Sequence, residues 1–88
     1  MTTLVRLVIP APRARTVEVM GDFTSWEKTV GLEPIGNGLW AGDIEVPAGR
    51  YRYVIIIDGK EMRPDPAARQ VVDDGFGGKS SVLDIGRI

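Results

Sequence analysis

The chain has 88 residues, 43% hydrophobic and 26% charged, with 11 basic and 12 acidic side chains and a formal net charge of −1. That is the length of one domain, 1–88, with the balance of a globular rather than a disordered chain, and the near-zero charge gives no electrostatic drive towards nucleic acid. Neither Cys nor His occurs, which excludes a disulfide framework, thiolate metal sites and the commonest general base, and fits a reducing, cytoplasmic setting.

The dominant apolar period is two, the signature of half-buried strands. Residues 3–9 (TLVRLVI) form the first expected strand. Pro10 and Pro12 stop it and leave its apolar run too short for a signal peptide. Nothing further along approaches the ~20 apolar residues of a membrane helix. Residues 16–20 (TVEVM) give a second strand, and residues 32–35 (LEPI) a third, confined to a sheet edge by Pro34. The turn Gly36-Asn37-Gly38 leads into residues 39–46 (LWAGDIEV), with Trp40, Ile44 and Val46 expected inside.

After a second turn at residues 47–49, the longest strand begins at Arg50. Tyr51, Tyr53, Ile55 and Ile57 share one parity on it, while Arg50 and Arg52 take the other. Asp58-Gly59 is a strong hairpin signal, returning through the short run 60–62 (KEM). Residues 80–85 (SSVLDI) make the last strand. The Pro/Gly/Asp-rich connection 63–78 separates these two, with room for one helical turn at residues 66–70. About seven short strands with regular turn signals predict an all-β, antiparallel β-sandwich.

Catalytic constellations are missing. Asp22 and Glu27 flank Trp26, and Asp65, Asp73 and Asp74 lie in the long connection, but a hydrolytic pair needs two carboxylates at a defined separation. Asp22 reads more simply as a turn former, Asp65 as a loop cap, and Asp73 and Asp74 as solvated charge. The run Gly77-Gly78-Lys79-Ser80-Ser81 lacks the helix a phosphate loop needs, and no calcium-loop spacing occurs. The sequence therefore predicts no enzyme, no cofactor and no metal site. What remains is a binding surface. Trp26 sits among Gly, Asp, Thr and Ser, where an indole either seals the sandwich edge or offers a flat apolar plate to a sugar ring.

The ordered motifs "VEVMGDFTSWEK", "GNGLWAGDIEVPAGRYRYVIIIDGK", "DP" and "GFGGKSSVLDI" resemble carbohydrate-binding module family 48, over about residues 4–85. That family includes the early-set domains of isoamylases and glycogen-branching enzymes and the glycogen-binding domain of the AMP-activated protein kinase β subunit. The resemblance implies an immunoglobulin-like, early-set sandwich that binds α-1,4-linked glucan (glycogen, starch or maltooligosaccharide) without catalysis. It puts the first site tryptophan at Trp26, the site lysine at Val54, the second tryptophan at Met62 or Glu61, and the ring-threading leucine at Phe76. The threonine and asparagine that follow fall on Gly78 and Ser80.

Arg52, Lys60 and Arg63 are candidate replacement donors for the lysine, with Arg52 favoured by its shared parity with Val54. The expected carbohydrate site is thus Trp26, Arg52, Lys60, Met62, Phe76 and Ser80. Its affinity is expected to be low, since each lost aromatic plate forfeits on the order of 1–3 kcal/mol. The alternative is a protein-interaction or regulatory sandwich that keeps the fold without the sugar. Expected partners are an α-glucan, a glycan-metabolising enzyme, or a second copy associating through a sheet edge; neither nucleic acid nor a membrane is expected.

Overall fold

A computed structural model describes residues 2–73 and 78–86. Their strands form two antiparallel sheets. The smaller has the order β1 (Thr2–Pro10), β5 (Leu39–Pro47), β4 (Glu33–Gly36). The larger has the order β3 (Val30–Gly31), β2 (Val17–Gly21), β6 (Gly49–Ile57), β9 (Lys79–Ile85), β8 (Gln70–Asp73). A further strand, β7 (Glu61–Arg63), pairs with the end of β6 that β9 does not reach.

The inward residues follow from the pleat. On β6 the odd positions Tyr53, Ile55 and Ile57 face the other sheet, on β2 Val17 and Val19, on β1 Leu7 and Ile9, and on β5 Ile44 and Val46. Val19 and Ile55 are register partners at the centre of the larger sheet, and both are fully buried. Each aliphatic side chain enclosed this way contributes about 1.5–3 kcal/mol over leaving it in water. Trp40 packs against this core with its indole N–H donating to the Ala11 carbonyl at 3.0 Å, the interior role its strand position predicts.

Turn chemistry holds the register. Asp58 and Gly59 both have positive φ (55° and 69°), the geometry of a tight primed hairpin turn. Asp58 also accepts the backbone N–H of Arg15 at 2.6 Å and of Thr16 at 3.1 Å through one carboxylate oxygen. Gly36, Asn37 and Gly38 all have positive φ, as the Gly-Asn-Gly turn requires.

The structure adds to the sequence expectation in three places. It has nine strands among the described residues rather than about seven, β3 and β8 being the additions. Residues 66–70 form no helical turn. Asp65 instead caps a bend, its C=O accepting from Ala68 N–H at 3.1 Å and its side chain from Ala67 N–H at 2.8 Å. Asp65 is also buried: it accepts the Tyr53 hydroxyl at 2.6 Å, and its own N–H donates to the Ser81 hydroxyl at 2.6 Å. This network fastens the start of the long connection onto β6 and β9.

Candidate functional site

Strand β2 ends at Gly21, directly opposite Tyr53 on β6. A Cβ at Gly21 would overlap the Arg52 carbonyl oxygen and stand 2.7 Å from the Tyr53 Cβ, so only glycine lets the two strands approach here. The chain then turns through a single 3-10 turn, Asp22–Thr24. Thr24 ties the turn to Gly21, accepting its N–H at 3.2 Å and donating to its C=O at 3.0 Å. Phe23 drops beside the inward rings of Tyr51 and Tyr53, both with centroids 6.3 Å away.

Ser25 and Trp26 follow with φ of 57° and 56°. Left-handed backbone costs an L-residue roughly 1–2 kcal/mol, and here two consecutive non-glycine residues adopt it. The turn is closed by Trp26 N–H donating to the Gly21 carbonyl at 3.1 Å. Trp26 is 39% exposed. Its indole N–H donates to one carboxylate oxygen of Asp22 at 2.7 Å, while the other oxygen accepts the Arg52 backbone N–H at 2.8 Å. Asp22 thus moors the ring beside β6 at the level of Arg52.

Arg52 belongs to the face of the larger sheet that points away from the core. Register partners share a face, so this face carries Met20 beside Val54, Arg52 beside Val82, Ile56 beside Met62, and Ser80 beside Val72. It combines apolar side chains with two arginines; Arg50 donates to Gln70 at 2.6 Å, and Arg52 makes no ion pair among the described residues.

The expected site residues distribute unevenly over this surface. Asp22 links the Trp26 indole N–H to the backbone N–H of Arg52. Met62 is 57% exposed on the same outward face, opposite Ile56 and on the order of 13 Å along β6 from Arg52 at normal strand rise. Lys60 lies in the turn beyond β6, its N–H donating to the Ile57 carbonyl at 3.0 Å, about 17 Å or more from the level of Arg52. Ser80 is only 4% exposed, so its hydroxyl presents little surface. Val54 is 6% exposed and apolar, so it carries no donor. Arg63 is engaged with Glu61 at 2.7 Å. Phe76 lies outside the described residues.

The residue that sequence reading missed is Asp22. Its available signal is the four-residue spacing to Trp26 across a turn, which lets an aspartate meet an indole N–H. Its bond to Arg52 joins segments 30 positions apart, and nothing local announces it. No group of three or more His, Cys, Asp or Glu is placed to hold a metal among the described residues, and no helix there is long and apolar enough to cross a membrane.

The antiparallel sandwich thus carries a moored, exposed Trp26 at the end of β2, next to the β6 backbone. Residues 10–87 match the family model described as the glycogen recognition site of AMP-activated protein kinase. The chain belongs to that family, as its ordered motifs imply.

Among curated proteins, it is similar to the 1,4-alpha-glucan branching enzyme GlgB 2 of Xanthomonas campestris pv. campestris, with 37% identity over 73 residues, covering 75% of this chain and 10% of the enzyme. The 1,4-alpha-glucan branching enzyme GlgB of Ralstonia nicotianae is 35% identical over 79 residues, with the same two coverages. Of the solved structures, the catalytic module of the multi-modular glycogen-degrading pneumococcal virulence factor SpuA, in complex with an inhibitor, aligns with a TM-score of 0.61 at 27% identity. That alignment covers 92% of this chain and 15% of the other. The chain spans about a tenth of the length of the curated relatives it matches.

Proposed function

We propose that this domain binds α-1,4-linked glucan without catalysis, stacking a pyranose ring on Trp26. The observation that carries this reading is the exposed indole fixed by Asp22 next to Arg52. A pyranose has an apolar C–H face and a hydroxyl rim. The indole face meets the first, and the Arg52 guanidinium supplies planar donors for the second. Because Asp22 already occupies the indole N–H, the ring contributes area rather than a hydrogen bond.

Met62 extends the apolar strip along the outward face, where an unbranched thioether adapts to a sugar edge less specifically than an aromatic ring would. Lys60 and Ser80 are peripheral in this reading, one by distance and one by burial. With one aromatic plate and few donors, binding is weak, in the range of about 0.1–10 mM, where each 1.4 kcal/mol changes the constant tenfold. The curated relatives support a setting in which such a domain works alongside a glucan-acting enzyme and holds the polymer near it.

Titration of maltoheptaose against tryptophan fluorescence tests the reading. The expected result is a saturable change that disappears in Trp26→Ala, because Trp40 is packed on the core and bonded to Ala11. Absence of any change at several millimolar ligand, or an unaltered response in Trp26→Ala, would overturn it.

A further inference from the structure

Strand β1 has one neighbour, β5. Ala11 N–H donates to the Gly38 carbonyl at 2.8 Å. Bonded pairs alternate along an antiparallel ladder, so stepping back from Ala11 makes Thr3, Val5, Leu7 and Ile9 the residues that exchange hydrogen bonds with β5. Thr2, Leu4, Arg6 and Val8 therefore direct their N–H and C=O groups to the opposite side. Pro10 shares that parity, and its missing N–H costs the ladder nothing there. Among the described residues, none of these outward backbone groups has a partner.

Exposed edges are ordinarily blunted by shortness, proline or charge. The other edge strands fit that rule: β3 has two residues, β8 has four, and β4 has four including Pro34. Strand β1 has nine residues, a single charge at Arg6, and Leu4 67% exposed on its outer face. A cleft of about 570 Å³ opens along its inner side, between Val5 and Leu7 on β1 and Ala68, Arg69 and Leu83 across from them.

We infer that β1 pairs antiparallel with β1 of a second copy, about a two-fold axis at Val5, so that two three-stranded sheets become one. The sequence of β1 selects this occupant and this register. Centring the pair on Arg6 would set two guanidinium groups opposite each other and match Thr2 with Pro10. Centring it on Leu7 would match Leu4 with Pro10 and leave Thr2 unpaired. Centring it on Val5 matches Leu4 with Arg6 and Thr2 with Val8, so all four outward N–H groups of each copy gain a bonded partner.

The charges agree with this register. Across the outer face one row then reads Asp43, Arg6, Leu4 of the second copy, Glu45 of the second copy, so that Arg6 keeps Asp43 beside it and no like charge enters the row. On the inner face the two Val5 side chains meet where the two clefts open, and each completes the cover of the other.

Sedimentation equilibrium of the full chain, from micromolar to millimolar, reads the association. Arg6→Pro removes an outward N–H without touching the bonds to β5, and two such losses per dimer raise the dissociation constant roughly thirtyfold. The chain has no Cys, so Val5→Cys introduces a single thiol. At a non-bonded antiparallel pair the two Cα atoms lie about 4.5 Å apart, within disulfide reach. Mild oxidation of Val5→Cys therefore gives a covalent dimer. Arg6→Cys, displaced by two residues, or roughly 7 Å along the strand, does not.

A strict monomer at millimolar concentration overturns the inference and leaves the edge to a strand from another protein. A dimer indifferent to Arg6→Pro, or one that cross-links through Arg6→Cys in preference to Val5→Cys, overturns it as well. If Arg6→Pro loses its native circular dichroism, the pattern of cross-linking decides alone.

Discussion

Asp22 divides its carboxylate between two donors that belong to different parts of the chain. One is the Trp26 indole N–H and the other the Arg52 backbone N–H. Without it, the exposed ring would turn about its side-chain torsions, and a sugar would have to immobilise it on binding. Ordering such a side chain costs about 0.5–1.5 kcal/mol. Asp22→Ala is therefore expected to weaken maltoheptaose binding roughly two- to tenfold by that cost, with little change in unfolding midpoint, since water can reach both released donors. Calorimetric titration with parallel near-ultraviolet circular dichroism checks this, and unchanged affinity would show that Asp22 does not hold the plate. The exposure of Trp26 was legible in the sequence, since an indole among turn formers signals a ring held at the surface. The part played by Asp22 was not, because an aspartate in a turn has a sufficient local explanation, and its second bond is non-local.

Strand β6 shows how far alternation alone carries an element. The Tyr/Arg alternation of residues 50–53 assigns the two faces correctly, with Tyr53 in the core and Arg52 outside. Strands β3 and β8 escaped notice because they are short and no hairpin turn frames them, as the Gly36–Gly38 and Asp58–Gly59 turns frame β4 and β7; their neighbours β2 and β9 define them. Asp65 looked like a loop cap between two prolines, and it is one, but its burial against Tyr53 depends on how the connection folds back over the sheet. Tyr53→Phe keeps the ring and removes the hydroxyl, leaving a buried carboxylate oxygen without its donor. The expected loss is about 1–3 kcal/mol in urea unfolding, larger than for an exposed Tyr→Phe change. A loss within experimental error would mean that water replaces the hydroxyl and that the connection is not fastened there.

Two ionisable groups at different places in the molecule bound its stability on either side of neutrality. Burial, then the hydrogen bond and charge of Asp65, raise the Tyr53 phenol well above its ordinary 10.0. The unfolded chain then gives up this proton before the folded one does, so the associated stability is complete below pH 10 and falls as pH rises further. The backbone N–H groups of Arg15 and Thr16 lower the Asp58 carboxyl below its ordinary 3.8. Here the unfolded chain takes up the proton first on acidification, so the stability is complete above that value and is lost as pH falls past it. Asp58 is fully exposed, so the effect is modest and screened by salt. It acts where the β6–β7 turn grips the segment entering β2, with Asp58 N–H also donating to the Thr16 carbonyl at 2.9 Å. Asn tolerates the positive φ of this position and keeps an acceptor for both N–H groups, but it does not titrate. Asp58→Asn is accordingly expected to stay folded at neutral pH and to flatten the acid limb of a urea-midpoint profile. A limb as steep as that of the parent chain would assign acid sensitivity to other carboxylates.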